Sequence, residues 1–368
     1  MEGPRAMTDL LYSEAESDLR AAVRSLLADR ADPAALPGRV EAGSPYDPAV
    51  WRSLAVDMGA AGLLVPEKLG GQGASHREAA VVLEELGRAV TPAPYLTSSV
   101  VATETLLALD PAEGGPAAEL LTALATGSRV AVLAVPFSTG PGAALPEGAA
   151  GIDGVADAAF ADVLLVPRAD GLYAVDATDV TLTPRTPFDL TRPPATVTAE
   201  REGVRVADAG ASREAVRRGL LAGTGLLASE QLGLAEWCLE ETVRHTRERH
   251  QFNRPVGSFQ ALKHRMAQLW LEVVNARAAA RAAADALATG SPDAPLTVAV
   301  AQVYCSRVAV HAAEECVQLH GGVGMTWEHP AHLYLKRAKA DQVALGSTGR
   351  HKDTLAELLD LPAPAPGR

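Results

Sequence analysis

Four long helical patterns in the second half of the chain constrain its fold more than any other feature. They cover about Arg213 to Arg249, Ser258 to Thr289, Leu296 to His320 and Ala331 to Leu345, and a short tail pattern follows near Asp353 to Leu359. Residues 253–257 and 290–293, which separate the first three, contain the Pro and Gly that end helices. Short connections join antiparallel neighbours, so the sequence predicts a four-helix bundle that begins at the N-cap Ser212.

The residues before the bundle form two blocks of different periodicity. From Glu14 to about Thr126, apolar residues recur at the spacing of helices. From about Arg129 to Val206 they form short runs separated by Gly, Pro and Asp, a pattern typical of strands. The predicted fold class is therefore α+β. We expect an N-terminal helical domain at residues 1–126, a reduced β domain at 127–211 and a C-terminal helical bundle at 212–368.

Composition excludes several classes of protein. The net charge of −12 and the scattered basic residues argue against binding to a nucleic-acid backbone. There is no run of 18 apolar residues and no secretory signal pattern in Met1 to Leu11, so we expect a cytoplasmic protein with no membrane partner. Cys238, Cys305 and Cys316 lie in apolar helical patterns without metal-ligand spacing, which predicts buried thiols and no metal site.

Three motifs along the chain carry a resemblance to one family. The first comprises VPE at residues 65–67, GGQG at 70–73 and VLEELGR at 82–88. The second reads RERHQFNRPVGSFQ at residues 247–260, and the third reads QLHGGVG at 318–324. In this order, and over nearly the whole chain, the motifs resemble the acyl-CoA dehydrogenase family. The resemblance implies that family's fold, with an N-terminal helical domain, a small central β domain and a C-terminal four-helix bundle.

The second and third motifs reach across a subunit interface in that family, to the FAD of a neighbouring subunit. The pyrophosphate of FAD needs a guanidinium group and backbone amides that glycine leaves accessible. Arg249 and Gln251 would contact the pyrophosphate, and the other matching residues of the two motifs would line the nucleotide. The structural alternative is that Arg249 and the glycines only end helices. The resemblance implies cofactor-binding roles for Arg249, Gln251, Phe252, Phe259, Gln260, Gln318, Leu319, His320, Gly321 and Gly322.

The catalytic carboxylate of the family is missing from both of its usual positions. Family chemistry removes an α-proton from an acyl-CoA thioester while a β-hydride passes to the flavin, so a base is required. The two positions that supply it in the family correspond here to Leu345 and Gly223. Neither residue accepts a proton. The sequence therefore predicts that no residue of this chain acts as the catalytic base.

Two glutamates elsewhere remain as candidate bases. Glu230 follows Gly223 by seven residues and faces the same side of the predicted helix, although it lies about 10 Å along the axis. The alternative is a buried Glu230 paired with an arginine. Glu328 is the second candidate, and a structural role at a helix entry is its alternative.

The strands that hold the flavin ring in the family are not recognisable in this sequence. Residues 135–141, VPFSTGP, stand where the family has Thr-Glu-Pro followed by Gly-Ser-Asp, and the later Trp-Ile-Thr strand is absent. The resemblance therefore implies that this chain does not hold a flavin ring by itself. Residues 188–193, FDLTRP, are similar to a segment of actinobacterial members, including subunits of unequal pairs that act on sterol side-chain thioesters.

These observations predict a subunit of an FAD-dependent acyl-CoA dehydrogenase, an enzyme that desaturates an acyl-CoA thioester. A catalytic paralogue would supply the base in a heterotetramer, and an electron-transfer flavoprotein would accept the electrons. Two alternatives stay open. One is an active homotetramer with a relocated glutamate base, and the other is a purely structural scaffold subunit.

Overall fold

Helices occupy both ends of the molecule, with short strands between them. The computed structural model describes residues 9–31, 35–146 and 151–361 of the 368-residue chain. The expectation about a signal in Met1 to Leu11 falls largely outside the described residues. The amino-terminal helices are α1 (Glu14–Arg30), α2 (Leu36–Glu41), α3 (Pro48–Arg52), α4 (His76–Arg88), α5 (Thr103–Leu107) and α6 (Pro116–Ala125).

Two of these helices begin at capping boxes. At the start of α1 the Ser13 N–H donates to Glu16 Oε2 over 2.6 Å, and the Glu16 N–H donates to Ser13 Oγ over 3.2 Å. Ser75 and Glu78 form the same reciprocal pair at the start of α4. Because these bonds satisfy N–H groups that a helix start leaves unpaired, the local sequence fixes both starts.

Two small sheets form the middle of the molecule and confirm the predicted central β block. Their strands are β1 (Ala131–Leu133), β2 (Ile152–Ala156), β3 (Val163–Arg168), β4 (Gly171–Asp176), β5 (Val180–Pro184), β6 (Pro194–Ala199) and β7 (Val204–Asp208). One sheet has the order β1-β3-β4-β7, in which only β1 and β3 pair in parallel. The other has the antiparallel order β2-β6-β5.

The predicted carboxy-terminal bundle is confirmed. Its helices are α7 (Ala209–Glu248), α8 (Gln260–Ala288), α9 (Ala294–His320) and α10 (Ala331–Asp341), and α11 (Thr348–Leu358) follows them. The prediction of Ser212 as N-cap is wrong, because the cap is Asp208, whose carboxylate accepts from the Ala211 N–H over 2.9 Å. The helix therefore starts directly after β7, and Ser212 is buried in its first turns.

The apolar core has two parts that meet at α7. One cluster joins the amino-terminal helices, the sheets and the first turns of α7, with Leu54, Leu164 and Leu220 among its members. The other lies within the bundle and includes Cys238 and Cys316. As predicted, Cys238, Cys305 and Cys316 are buried free thiols. Helix α7 thus belongs to both cores and connects the sheets to the bundle.

Helix α9 has the length and hydropathy of a membrane-spanning segment. The stretch Ala294–Met325 reaches a mean hydropathy of 1.2 over its most apolar 18-residue window. Within the protein, 61% of that window is buried. The central helix of a packed bundle has the same properties, so this feature is weak evidence for a membrane span.

Helices α4 and α7 cross with their backbones in contact. A Cβ atom on Gly87 would lie 2.0 Å from the Glu230 carbonyl oxygen, and one on Gly233 would lie 1.8 Å from the Glu84 carbonyl oxygen. Glycine is required at both positions, because any side chain would push the helices apart. This crossing fixes the position of Glu230 in the middle of the molecule.

Candidate functional site

The two positions that correspond to the family's catalytic base lie side by side. A Cβ atom on Gly223 in α7 would lie 3.2 Å from Leu345 Cδ1, which follows α10, and 2.5 Å from Val101 Cγ2. The two base positions that the resemblance assigned to different parts of the sequence thus lie at one place in the structure. Both residues at that place are apolar, and no side chain fits at Gly223 without displacing Val101.

The backbone at Leu345 is held in an unusual conformation. Leu345 has φ +51° and is 2% exposed, and its N–H donates to the Phe137 carbonyl oxygen over 2.7 Å. Left-handed backbone is unfavourable for a leucine, so the surrounding contacts must hold it. Its side chain therefore points into the core from a fixed position.

The space beside Leu345 is too small for a substrate or a flavin ring. The cavity there has a volume of about 20 Å³. A water molecule needs about 10–15 Å³ on this measure, whereas pockets for small molecules are on the order of 300–1,000 Å³. The cavity is lined by Thr97, Val101, Val132, Leu133, Val135, Phe137, Ala156, Leu220 and Leu345. The space beside the two predicted base positions is therefore closed to a substrate in this structure.

A larger surface groove shares two residues, Phe137 and Ala156, with this cavity. Its volume is about 660 Å³, and Phe188, Arg192 and Lys339 are among the residues that line it. Phe188 is 64% exposed. The segment FDLTRP, singled out in the sequence, therefore forms one wall of an open groove between the sheets and α10.

Glu230 is buried and paired with two arginines. Arg192 Nη2 donates to both carboxylate oxygens over 2.9 and 2.8 Å, and Arg337 Nη1 donates to Oε1 over 2.6 Å. Burial alone would raise the pKa of Glu230, but the charges and hydrogen bonds of the two arginines outweigh it and lower the pKa. The arginine-paired interpretation is thus supported and the candidate base is not, because both oxygens are occupied and hold a proton weakly.

Three aspartates complete this buried charge network. Asp189 accepts from Arg337 Nε, and Asp341 Oδ1 accepts from Arg192 Nη1 over 3.0 Å. Asp157 Oδ2 lies 4.0 Å from Arg192 Nε. Burial raises the pKa of Asp157 and of Asp341, whereas at Asp189 the arginine charges outweigh burial and lower the pKa. Burial thus favours the protonated forms of Asp157 and Asp341, which brings the network closer to charge neutrality.

The second candidate base, Glu328, lies far from the base position. It is exposed and precedes α10, whereas Leu345 follows that helix. Helix α10 has 11 residues, which corresponds to a length of about 16 Å. Glu328 therefore does not reach the space beside Leu345 and Gly223.

The second motif forms an exposed hairpin at the end of α7. Arg249 is the C-cap of α7, and β8 (His250–Gln251) pairs with β9 (Arg254–Pro255). Phe252 and Asn253 between them have φ +53° and +60°, as a tight two-residue hairpin turn requires. Phe252 is 86% exposed at the tip. Arg249 thus caps a helix, as the structural alternative held, but its side chain is also free.

Seven of the ten predicted cofactor residues are exposed, and Phe259 and Leu319 are half-buried. Within the part of the chain that the structure describes, the side chains of Arg249, Gln251 and Gln318 have no hydrogen-bond partner. The exposed residues are Arg249, Gln251, Phe252, Gln260, Gln318, Gly321 and Gly322. The polar side chains of Arg249, Gln251 and Gln318 therefore remain available to a ligand or to another chain.

The two motifs lie at the same end of the bundle. His245, one turn before Arg249, packs against His320 at the end of α9, with ring centroids 4.2 Å apart. Gly321, the C-cap of α9, has φ +64° and ψ −140°, a conformation that favours glycine. The structure thus brings the hairpin and the glycine segment together, although no contact within the chain requires their exposed side chains.

His320 differs from the other predicted cofactor residues because its side chain is buried. It is 6% exposed, and its Nδ1 lies 2.6 Å from the Cys316 carbonyl oxygen. Its Nε2 lies 3.5 Å from Glu241 Oε1. A contact between His320 and a cofactor can therefore involve only the main chain of this residue.

Sequence reasoning missed the arginine partners of Glu230 and the neighbours of His320. Arg337 and Asp341 occupy the same apolar stripe of α10 as the buried residues Tyr334 and Ala338. Charged residues at core positions of a helical pattern signal a buried ion pair, and this signal was present in the sequence. Glu241 and His329, by contrast, meet His320 only after the chain has folded.

Comparisons with known proteins agree with this geometry. The family model described as the acyl-CoA dehydrogenase N-terminal domain matches residues 13–112, and the one for the C-terminal domain matches residues 213–359. Acyl-CoA dehydrogenase IpdE2 of Mycobacterium tuberculosis is 36% identical over 329 residues, which cover 89% of this chain and 92% of the relative. Acyl-CoA dehydrogenase FadE27 of the same organism is 32% identical over 345 residues, or 86% and 90% of the two chains.

Two solved structures of heteromeric enzymes are also similar. A chain of the ChsE4-ChsE5 complex from Mycobacterium tuberculosis has a TM-score of 0.83 and 26% identity, and the match covers 97% of this chain and 100% of that one. A chain of a variant of the Tcur3481-Tcur3483 steroid ACAD has a TM-score of 0.80 and 27% identity, with 94% and 98% covered. This chain belongs to the acyl-CoA dehydrogenase family, whose members are FAD-dependent oxidoreductases.

Proposed function

We propose that this chain is a subunit of a heteromeric acyl-CoA dehydrogenase, that it lacks a catalytic base, and that it completes the FAD site of a catalytic paralogue. The observation that carries the proposal is the contact between Leu345 and Gly223 beside a cavity of about 20 Å³. A carboxylate, an acyl chain and a flavin ring must meet at this place in an active member, and here none of them fits.

The exposed hairpin and glycine segment support the second half of the proposal. The side chains of Arg249 and Gln251 are exposed and unpaired within the described chain, and Gly321 and Gly322 are exposed beside them. A guanidinium fork recognises a pyrophosphate, and glycine lets the backbone approach one closely. A chain that served only as a scaffold would have no use for an exposed phenylalanine and an unpaired arginine on one hairpin.

The similar structures indicate the kind of partner and substrate. ChsE4-ChsE5 is a complex of two different chains, and Tcur3481-Tcur3483 is described as a steroid ACAD. We accordingly infer that the partner of this chain is a catalytic paralogue with an intact base and intact flavin-ring strands. Its substrate is an acyl-CoA thioester, with a steroid side chain as the preferred acyl group. An electron-transfer flavoprotein takes the electrons from the complex, which works in the cytoplasm.

The domain boundaries at 126/127 and 211/212 belong to the same proposal.

Co-expression with candidate paralogues tests this function. The chain purified alone should contain no tightly bound flavin, and acyl-CoA should not bleach any flavin absorbance. The co-purified complex should contain FAD and should reduce an electron acceptor when acyl-CoA is added. Tight flavin binding and acyl-CoA-dependent bleaching by the chain alone would contradict the proposal.

The active homotetramer predicts a different result. In that case Glu230→Gln or Glu328→Gln should abolish turnover by the chain alone, since each removes a candidate base. Under our proposal Glu328→Gln leaves the turnover of the complex unchanged. Glu230→Gln weakens folding through the loss of an ion pair, and turnover per folded complex stays the same.

A further inference from the structure

Three donor atoms converge beside the glycine segment, on side chains that the proposed FAD contacts do not use. Glu241 Oε1 in α7 lies 3.5 Å from His320 Nε2 and 3.2 Å from His329 Nε2. The ligand atoms of these three residues all lie within 4.8 Å of one another. We propose that Glu241, His320 and His329 bind a divalent transition-metal ion, with Zn²⁺ as the best-matched species.

The two separations that involve Glu241 match the coordination geometry of Zn²⁺. Bonds of about 2.0–2.1 Å in a tetrahedral arrangement place neighbouring ligand atoms about 3.3–3.4 Å apart. The two distances to Glu241 Oε1 lie on either side of this value. Two histidines and one carboxylate are a known donor set for zinc, with a fourth position left for water. An ion between the three atoms therefore needs only small side-chain movements.

His320 is already oriented as a metal ligand. Its Nδ1 lies 2.6 Å from the Cys316 carbonyl oxygen, so a ring proton is on Nδ1 and Nε2 is the nitrogen that faces a metal ion or a second proton. This bond from the outer nitrogen to a carbonyl is the usual support of a metal-bound histidine. His320 is 6% exposed, and its Nε2 has no hydrogen-bond partner among the described residues. His320 Nε2 faces Glu241 Oε1, so a metal ion between the two atoms would take the place of a proton.

His329 and Arg244 have to adjust when the ion binds. His329 Nδ1 accepts from the Ala331 N–H over 3.2 Å, so metal binding at Nε2 requires the ring proton to move to Nδ1 and this one bond to break. Arg244 also donates to both oxygens of Glu241, but it is 56% exposed and can turn to solvent. Ion binding therefore exchanges the Ala331 bond, the two exposed Arg244 bonds and the direct contacts between Glu241 and the two histidines for three coordination bonds.

The location gives the ion a structural effect. His320 ends α9 and His329 precedes α10, so residues 321–328 are attached to Glu241 of α7 at both ends. This segment contains the exposed side chains of Met325 and Trp327, which are 67% and 46% exposed. A bound ion would fix the segment against the bundle. The effect is independent of the proposed catalytic partner, because all ligands come from this chain.

Titration of the full chain with ZnCl₂ tests the site. The chain should be tag-free and stripped with a chelator, and calorimetry should show one saturable equivalent of Zn²⁺. Glu241→Gln and His329→Gln should each weaken binding at least about 10-fold. Glu240→Gln, the exposed neighbour in sequence, and His264→Gln, an exposed histidine of α8, are matched controls that should bind as the wild type does.

A measurement on the wild type avoids dependence on folded variants. Zinc X-ray absorption should show only nitrogen and oxygen ligands at about 2.0–2.1 Å. Absence of saturable binding would overturn the proposal, and the cluster would then be an imidazolium–carboxylate pair. Equal weakening by the control variants, or a sulfur ligand from Cys316, would overturn it as well.

Discussion

Arginine serves opposite purposes in two regions of this molecule. Arg192 and Arg337 are 7% and 1% exposed and are surrounded by carboxyl groups in the buried charge network. Arg249 is exposed at the end of α7 and has no hydrogen-bond partner within the described chain. The charge of the first two is used to hold the sheets against the bundle. The charge of the third remains available, which is why we assign binding to the hairpin and structure to the network.

The comparison also shows why a buried glutamate is not a catalytic group by default. A carboxylate that serves as a base needs a pKa near the working pH and a free oxygen within reach of the substrate. Glu230 has neither, because two arginines occupy its oxygens and lower its pKa. Removal of either arginine would leave an uncompensated charge in the core.

The largest expected effect comes from the buried side of this comparison. Arg337→Ala leaves Glu230 and Asp189 without their shared partner and should lower the free energy of unfolding by about 3–5 kcal/mol. Urea denaturation of the full chain measures this change. Arg244→Ala removes an exposed arginine and should cost at most about 1 kcal/mol. A loss below 1 kcal/mol at Arg337 would show that the network does not stabilise the junction.

A substitution at Leu345, one of the two apolar base positions, should also affect stability and leave catalysis unchanged. Leu345→Ala removes a side chain that is 2% exposed and should destabilise the chain by about 2–5 kcal/mol. The turnover of the complex with the paralogue, per folded complex, should stay the same. Lower turnover without a change in bound FAD would place Leu345 at the reacting substrate and would break the division between the two regions.

The exposed side of the comparison predicts a loss of cofactor. Arg249→Ala in the complex removes a charge-assisted hydrogen bond to the pyrophosphate and should weaken FAD binding by about 1.5–3 kcal/mol. The urea midpoint of the chain alone should not change, because the side chain has no partner there. Arg247→Ala, an exposed arginine two residues away, is the control. Unchanged FAD content in the Arg249→Ala complex would favour the scaffold interpretation.

The smallest effect is a pH dependence that originates at Asp341. Burial and the charge of Glu230 raise the pKa of Asp341, so its proton stabilises the fold fully below the unfolded pKa of about 3.9 and less as pH rises through the folded value. Asp341→Asn has no such dependence. The stability of the wild type relative to this variant should therefore fall as pH rises above about 4, the unfolded pKa of an aspartate. Urea denaturation at several pH values measures the difference, and a constant or increasing difference would contradict the neutral network.

The sequence was sufficient for the features that depend on local pattern. The helices of the bundle and the central strands follow from the periodicity of the apolar residues. The N-cap of α7 was mispredicted because Ser212 and Asp208 are both good caps, and only the end of β7 decides between them. The family resemblance assigned the two base positions to Leu345 and Gly223 but did not predict their proximity, which the structure shows.

The rest depended on contacts between distant parts of the chain. Arg192 and Arg337 lie 38 and 107 residues from Glu230, and no periodicity connects such positions. The closure of the cavity beside Leu345 depends on side chains from the amino-terminal helices, the sheets and α7 together. The inward orientation of His320 depends on Glu241 and His329, so the linear motif alone could not separate it from its exposed neighbours.

The glycine crossing of α4 and α7 limits how this protein can move. Gly87 and Gly233 each lie against a carbonyl oxygen of the opposite helix, so neither helix can slide or rotate without a backbone clash. The crossing therefore fixes α4 of the amino-terminal helices against α7 of the bundle. A partner bound at the hairpin, which follows α7 directly, is therefore connected to the amino-terminal helices through this crossing.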